Sequence, residues 1–466
     1  MSSDFSSPQD FAAATVLVCG TGIAGRTAIA ALLALGARVL VCADDGVAPE
    51  LPAGASFLGS CTELPAGLDA VVTSPGLRPA HPLLAGATRA GLPVFGELEF
   101  AWRISPKSGP RWLLVTGTNG KTSTVRMLES ILRAAGLRAL SVGNVGVSVI
   151  DAVRAEPAYQ VLVVEASSFQ LHYSSSIVPR AGALLNLAED HLDWHGSMAS
   201  YASAKTKVWA GEYLIGNADD DAVAGLLQAA PAGRRLSFTL TEPIAGQYGV
   251  RAGVLVDSQG RELLPASDIQ PAGAHNVANA LAAAALAGTV GVGPADIAAG
   301  LRSFVPDPHR NQFIAEAAGV RYVDDSKATN PHAAAASLGS YSRVVWIAGG
   351  QLKGADVEPL VARFAGRLAG AVLLGVDRDQ IGSALARHAP DLPVIVVSRT
   401  DDRAMQDAVA AATSLAHAGD VVLLAPAAAS KDMFSGYPAR GSAFSAAVRA
   451  LPGARPEHDR ERRTAR

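Results

Sequence analysis

Lys121 and Thr122 close the run VTGTNGKTST (115–124), in which a glycine turn leads into a lysine and a hydroxyl. Those residue types can hold nucleotide phosphates. Backbone N–H groups wrap the phosphate oxygens, the lysine reaches their charge, and the threonine hydroxyl suits Mg²⁺. The usual phosphate-loop spacing asks for a glycine at position 115, which is Val115. Gly117 stands two residues later, so the run is either a chance turn or a shortened G-x-x-G-K-T loop. An apolar strand before it and an amphipathic helix after it favour the loop. Glu165 ends the apolar run VLVVE, where an acid can hold Mg²⁺ opposite such a loop.

A second phosphate candidate is GTGIAG (20–25), a G-x-G-x-x-G between a strand and a helix, with Asp44 at the end of the following strand. It fits an NAD(P)-dependent oxidoreductase, but its glycines show only that a phosphate can approach a helix N-terminus. Two phosphate sites in succession favour a nucleotide-linked substrate at the first and ATP at the second. NLAEDHLDWH (186–195) is dense in oxygen and imidazole donors. It fails as a zinc-protease H-E-x-x-H, because position 192 is Leu and the acid is Asp193. A second Mg²⁺ or a substrate at His191 fits better. Lys205, in SYASAKTKVW, reads by itself as a solvated helix lysine. Asn276 and Asn279 lie one turn apart and could read an adenine edge, or Asn276 could cap the helix. Arg310 suits a phosphate or carboxylate, or a surface ion pair. The polar runs DDSKATNPHA (324–333), GGQLKG (349–354) and PAAASKDMF (426–434) follow strands and suit an anionic small molecule, or are ordinary loops.

Three successive sections of alternating apolar strands and helices must position these residues, the pattern of parallel α/β sheets. Breaks at ISPKSGP (104–110) and VPDPHR (305–310) suggest domains over 1–99, 100–305 and 306–466, with a charged, disordered tail from about 456. A length of 466 residues suits two or three domains. The net charge of −3 argues against a nucleic-acid binder. Three cysteines without C-x-x-C spacing read as reduced thiols. The N-terminus MSSDFSSPQD is no signal peptide, and the Ala-rich runs are too short to cross a membrane, so a cytoplasmic protein is expected.

Taken together, these motifs resemble the Mur ligases across all three sections. The shortened loop is shared with folylpolyglutamate synthases; EASSFQL (165–171), EDHLD (189–193) and DSKATN (325–330) are more selective. The resemblance implies a Rossmann-like N-terminal domain for the UDP substrate, a central P-loop ATPase-like domain with a mostly parallel sheet, and a Rossmann-like C-terminal domain for the amino acid. The implied reaction joins D-glutamate to UDP-N-acetylmuramoyl-L-alanine (UDP-MurNAc-L-Ala) at the expense of ATP, through an acyl phosphate, for peptidoglycan synthesis. A monomer with no nucleic-acid partner and no membrane insertion is expected.

By the same resemblance, Gly117, Thr118, Asn119, Gly120, Lys121, Thr122 and Ser123 hold the ATP phosphates. Asn276 and Asn279 face adenine, with Arg310, Asp325 and Lys327 near the nucleotide. Thr122, Glu165, His191 and Lys205 serve two Mg²⁺ ions, Lys205 as a carbamate; Lys121, Glu165, His191 and Lys205 form the catalytic set. Thr21, Gly22, Asp44 and Ser74-Pro75-Gly76 hold the UDP, while Asn144, Ser167 and His191 contact the muramoyl-peptide arm. D-Glutamate falls to Thr329, Lys353, Ser430, Lys431 and Tyr437. Two places depart from the family pattern: Asp45, where a small hydroxyl residue is common, and Lys431, where an apolar residue is frequent.

Overall fold

The structure is a computed structural model that describes residues 5–43, 50–230 and 233–456, apart from the side chain of Asp193. Asp44, Asp45 and the tail beyond 456 lie outside the described residues. The fold is α/β, built on three separate sheets.

The first sheet comprises β1 (Thr15–Cys19), β2 (Arg38–Cys42), β3 (Ala55–Phe57), β4 (Ala70–Thr73) and β5 (Val94–Phe95). All are parallel, in the order β3-β2-β1-β4-β5. Runs such as TVLVC and AVVT are apolar on both faces because helices cover both sides of the sheet. GTGIAG turns from β1 into the helix Ile23–Ala34. Its last glycine, Gly25, is required by packing: a Cβ there would stand 2.0 Å from the Gly20 carbonyl oxygen. This is the close strand–helix approach of dinucleotide-type folds.

The second sheet runs through β6 (Arg111–Thr116), β7 (Ala139–Gly143), β8 (Val161–Glu165), β9 (Ala181–Leu184), β10 (Tyr213–Asn217), β11 (Arg234–Phe238), β12 (Gln247–Arg251), β13 (Val254–Val256) and β14 (Glu262–Pro265). Its order is β14-β13-β12-β11-β10-β9-β6-β8-β7, parallel except for the antiparallel β12-β13-β14 edge. β6 sits between β8 and β9, so the strand order reverses there. In open α/β sheets ligands bind at such a switch point, outside the C-terminal strand ends. The helix Ala274–Gly288 packs against this sheet, with every residue from Ala280 to Ala287 fully buried. Its alanine-rich composition reflects close packing on all sides.

The third sheet holds β15 (Gln312–Ala317), β16 (Val320–Asp324), β17 (Val344–Gly349), β18 (Leu368–Leu374), β19 (Val394–Val396) and β20 (Val421–Leu424). The order is β15-β16-β20-β17-β18-β19, with β15 antiparallel and the others parallel. The chain divides into two compact units, Met1–Ile269 with Val277–Phe304, and Gln270–Asn276 with Val305–Arg466. The first two sheets lie in the first unit. No helix among the described residues is long and apolar enough to cross a membrane.

Candidate active site

In the first unit, Val115 belongs to β6 and the loop Gly117–Gly120 turns into the helix Lys121–Ala134. Gly120 caps that helix with φ +84°, a conformation that suits glycine, and a Cβ there would stand 2.3 Å from Asn279 Oδ1. The helix N-terminus therefore opens beneath the turn, where its free N–H groups favour an anion. Loop shape is held by reciprocal amide bonds: Asn119 N–H donates to Asn186 Oδ1 at 2.8 Å, and Asn186 Nδ2 donates to the Asn119 carbonyl at 3.0 Å. Thr118 Oγ1 meets Tyr201 Oη at 3.0 Å.

Glu165, 2% exposed at the end of β8, collects two donors. Thr122 Oγ1 donates to its Oε2 at 2.7 Å, and Asn144 Nδ2 to its Oε1 at 2.9 Å. Asn279 Oδ1 accepts from Thr124 Oγ1 at 3.3 Å. One helix thus brings Thr122 to the acid and sets Thr124 against the amide of Asn279. Lys121 Nζ donates to the Gly117 and Thr118 carbonyls at 2.8 and 2.9 Å.

Lys205 overturns its reading as a solvated lysine. It is 2% exposed on the helix Met198–Thr206. Its Nζ donates to the Gly117 carbonyl at 2.8 Å and to Thr116 Oγ1 at 3.3 Å, and lies 4.6 Å from the Tyr201 ring centroid. Burial, reinforced by the Lys121 charge, holds its amine well below the usual lysine range, against the pull of Asp190 and Glu165. An amine so placed is readily neutral and nucleophilic.

His191 sits at the N-cap of the short helix Leu192–His195, with φ +56°. Its contacts include Asp190 Oδ1 at 3.5 Å and the Phe169 ring at 4.7 Å, and its side chain is 47% exposed. Among the described residues, no three His, Cys, Asp or Glu side chains converge as a metal cluster. Thr122 and Glu165 nonetheless bring two hard oxygen donors together beside the loop, the donor chemistry Mg²⁺ prefers.

At the C-terminal end of the first sheet, Gly20 (φ +98°) and Ser74 are immediate neighbours, since a Cβ on Gly20 would stand 3.0 Å from Ser74 Cβ. Ser74 N–H donates to the Cys19 carbonyl at 2.9 Å, which ties the start of the Ser74-Pro75-Gly76 turn to the end of β1.

In the second unit, the DSKATN loop follows β16. Asp325 accepts from the Asn311 N–H at 3.1 Å and from Ser337 Oγ, and burial raises its pKa to about 6. Lys327 Nζ stands 4.0 Å from the Tyr437 ring centroid. Asn276 donates Nδ2 to the Pro271 carbonyl at 2.9 Å, so its amide group gives a hydrogen bond where a helix cap would accept one. The segments 349–354 and 426–434 are joined by the paired Gln351–Ala429 backbone bonds at 2.8 and 2.9 Å. Lys353 adopts φ +55°, Ser430 is buried and Lys431 is exposed.

Arg440 went unremarked in the sequence, where it is one more arginine in a helix. It is 1% exposed and bonds to the three segments around Ser326, Gly349 and Ala428. Nε donates to Ser326 Oγ at 3.0 Å, Nη2 to the Ser326 carbonyl at 2.9 Å, and Nη1 to the Ala428 and Gly349 carbonyls at 3.1 and 3.3 Å. Only contacts between distant segments reveal it.

Two family models match: the Mur ligase middle domain over residues 115–287 and the Mur ligase, glutamate ligase domain over 309–428. The chain is 54% identical over 459 residues to the UDP-N-acetylmuramoylalanine--D-glutamate ligase of Thermobifida fusca, covering 94% of this chain and 98% of that protein. It is 49% identical to the protein of the same name from Streptomyces coelicolor, covering 95% and 99%. Among solved structures, UDP-N-acetylmuramate-alanine ligase MurC of Thermotoga maritima superposes with a TM-score of 0.58 at 18% identity, covering 94% of this chain and 99% of that one. That last likeness concerns the fold alone. An oxidoreductase built on GTGIAG finds no support in these comparisons. From the phosphate-loop geometry and these matches together, the chain belongs to the Mur ligase family.

Proposed function

We propose that this chain ligates D-glutamate to UDP-MurNAc-L-Ala, with conversion of ATP to ADP and phosphate, as a monomeric cytoplasmic enzyme of peptidoglycan precursor synthesis. The observation that carries this reading is the meeting of Thr122 and Glu165 at the mouth of the shortened loop, beside the buried Lys205. The names of the half-identical relatives supply the substrates.

A carboxylate is a poor electrophile, so its oxygen first attacks the γ-phosphorus of ATP and ADP departs. The amine of D-glutamate then attacks the acyl carbon, and the tetrahedral intermediate expels phosphate. The ammonium group of D-glutamate gives up two protons and keeps one as the amide N–H, and the phosphate carries away the activated oxygen. Gly117 to Ser123 would cradle the phosphates, with Lys121 extending to their charge. Asn276 and Asn279 would address adenine, and Arg310, Asp325 and Lys327 would lie near the nucleotide. Two Mg²⁺ ions would be held by Thr122, Glu165, His191 and Lys205, neutralising phosphate charge. Lysine lacks a lone pair for a metal while protonated, and a neutral amine can add CO₂ to become an oxygen ligand. The depressed basicity of Lys205 supports that modification.

Thr21, Gly22, Asp44 and Ser74-Pro75-Gly76 would hold the UDP, with Asn144, Ser167 and His191 along the muramoyl-peptide arm. Thr329, Lys353, Ser430, Lys431 and Tyr437 would hold D-glutamate, all within the third of three domains, 1–99, 100–305 and 306–466. The deciding experiment is phosphate release from ATP with UDP-MurNAc-L-Ala, comparing D-glutamate with L-glutamate, L-lysine and diaminopimelate. Release dependent on D-glutamate is expected; release with another amino acid instead refutes the substrate assignment.

A further inference from the structure

Glu97 has no part in the site as drawn so far, yet it is a carboxylate only 6% exposed at the start of the helix Glu97–Ile104, just after β5. Burying a charged group is unfavourable unless partners compensate it, so its partners are informative. Ser148 Oγ donates to Glu97 Oε1 at 2.8 Å, and Gln170 Nε2 approaches Oε2 at 3.5 Å. Each partner belongs to a segment that carries a proposed substrate contact.

Ser148 caps the helix Val149–Val153, which follows the turn bearing Asn144. It also meets Thr27 Oγ1, on the helix after GTGIAG, at 3.0 Å. Gln170 lies in EASSFQL. Its Oε1 accepts from Ser167 N–H at 3.0 Å and from Ser167 Oγ at 2.9 Å. A glutamine amide has one acceptor end and one donor end. By taking the donor end, Glu97 directs the acceptor end onto Ser167 and orients that hydroxyl. Glu97 also lies together with Gly25, Thr73 and Ser74 around one narrow gap, which includes residues of the proposed UDP loops. One buried carboxylate therefore touches the supports of Ser74, Asn144 and Ser167, drawn from both sheets of the first unit.

We propose that Glu97 is a positioning residue for the UDP-linked substrate, acting through Gln170 on Ser167 and through Ser148 on the Asn144 turn. The inference rests on the substrate assignment above. Its polarity is specific. In Glu97→Gln the new amide keeps one acceptor and adds one donor, so either Ser148 must turn its hydroxyl to accept or Gln170 must turn its amide away from Ser167. Gln170→Glu alone sets two carboxylates against each other. The double substitution Glu97→Gln with Gln170→Glu exchanges the groups and rebuilds every bond, with the donor now on position 97.

The test measures apparent KM for UDP-MurNAc-L-Ala, ATP and D-glutamate, with thermal unfolding of each variant alongside. Each single variant is expected to raise the KM for UDP-MurNAc-L-Ala about tenfold, the equivalent of one lost hydrogen bond, and to move the ATP KM less than about twofold. The double variant is expected to return to within about threefold of the original. An unchanged KM in Glu97→Gln, or a double variant no better than either single one, overturns the inference while the parent enzyme still turns over. A parent enzyme that does not use UDP-MurNAc-L-Ala overturns both this inference and the substrate assignment.

Discussion

Replacing Lys205 with methionine should make the protein more stable while abolishing its activity. The side chains are similar in length, and methionine fills irregular space well. The substitution loses the bond to the Gly117 carbonyl, which keeps the Lys121 amine as a donor, and the weak contact to Thr116 Oγ1, which keeps its bond to the Ala166 carbonyl. No buried group is orphaned, so the loss is ~1 kcal/mol. Against this stands relief from burying a charge, worth ~1–4 kcal/mol when an apolar side chain replaces it. The net gain expected is up to ~3 kcal/mol near neutral pH, at about 2–4 °C in Tm for each kcal/mol. The sign of the pH dependence follows from the lowered basicity of the folded-state amine. Between its folded pKa and the ordinary lysine value, the unfolded chain binds the extra proton, so the parent gains stability as pH rises and the variant does not. The difference between them should therefore be largest at low pH and shrink as pH approaches 10.5, the unperturbed value. The assay is thermal unfolding from pH 6 to 10 in metal-free buffer depleted of CO₂. A variant that melts below the parent throughout, or a difference independent of pH, would refute the reasoning. Lys205→Ala supplies the functional half: turnover should vanish and be partly restored by small carboxylic acids that replace the carbamate oxygens.

Lys121→Ala should abolish ATP-dependent ligation and leave the Kd for UDP-MurNAc-L-Ala, measured by titration calorimetry, within about twofold; retained turnover would remove the phosphate-loop assignment. Gly120→Ala, forced into φ +84° and against Asn279 Oδ1, should lower stability by ~1–3 kcal/mol and weaken ATP binding; denaturant unfolding and nucleotide titration check both. Asp325, raised from 3.8 to about 6, keeps its proton in the folded chain after the unfolded chain has lost it. Stability should therefore fall by up to ~3 kcal/mol as pH rises across that interval, and Asp325→Asn should remove the slope.

The loop, the alternating strands and helices, and the acid at the end of β8 were legible in the sequence because they are local. A buried parallel strand is apolar throughout, a glycine turn punctuates it, and a polar residue at its end stands out. The same locality set limits. VTGTNGKTST lacks the expected first glycine because position 115 is the last buried stretch of strand and the turn begins at Gly117. NLAEDHLDWH lies wholly beyond the strand that leads to it, since β9 ends at Leu184. The edge strands β12, β13 and β14 went unread, being short and only partly buried.

What the sequence by itself determined was the class of fold, the phosphate chemistry and, through its motifs, the kinship. Tertiary structure decided which ordinary-looking residues are enclosed. Lys205 by itself reads as a surface lysine, and nothing along the chain singles out Arg440 or Glu97. Each is buried because segments remote in the chain close over it, and a buried charge persists only where those same segments supply its partners. Spacing along one chain carries no record of that enclosure, because the groups that desolvate and satisfy these side chains lie up to 114 residues away, as between Arg440 and Ser326.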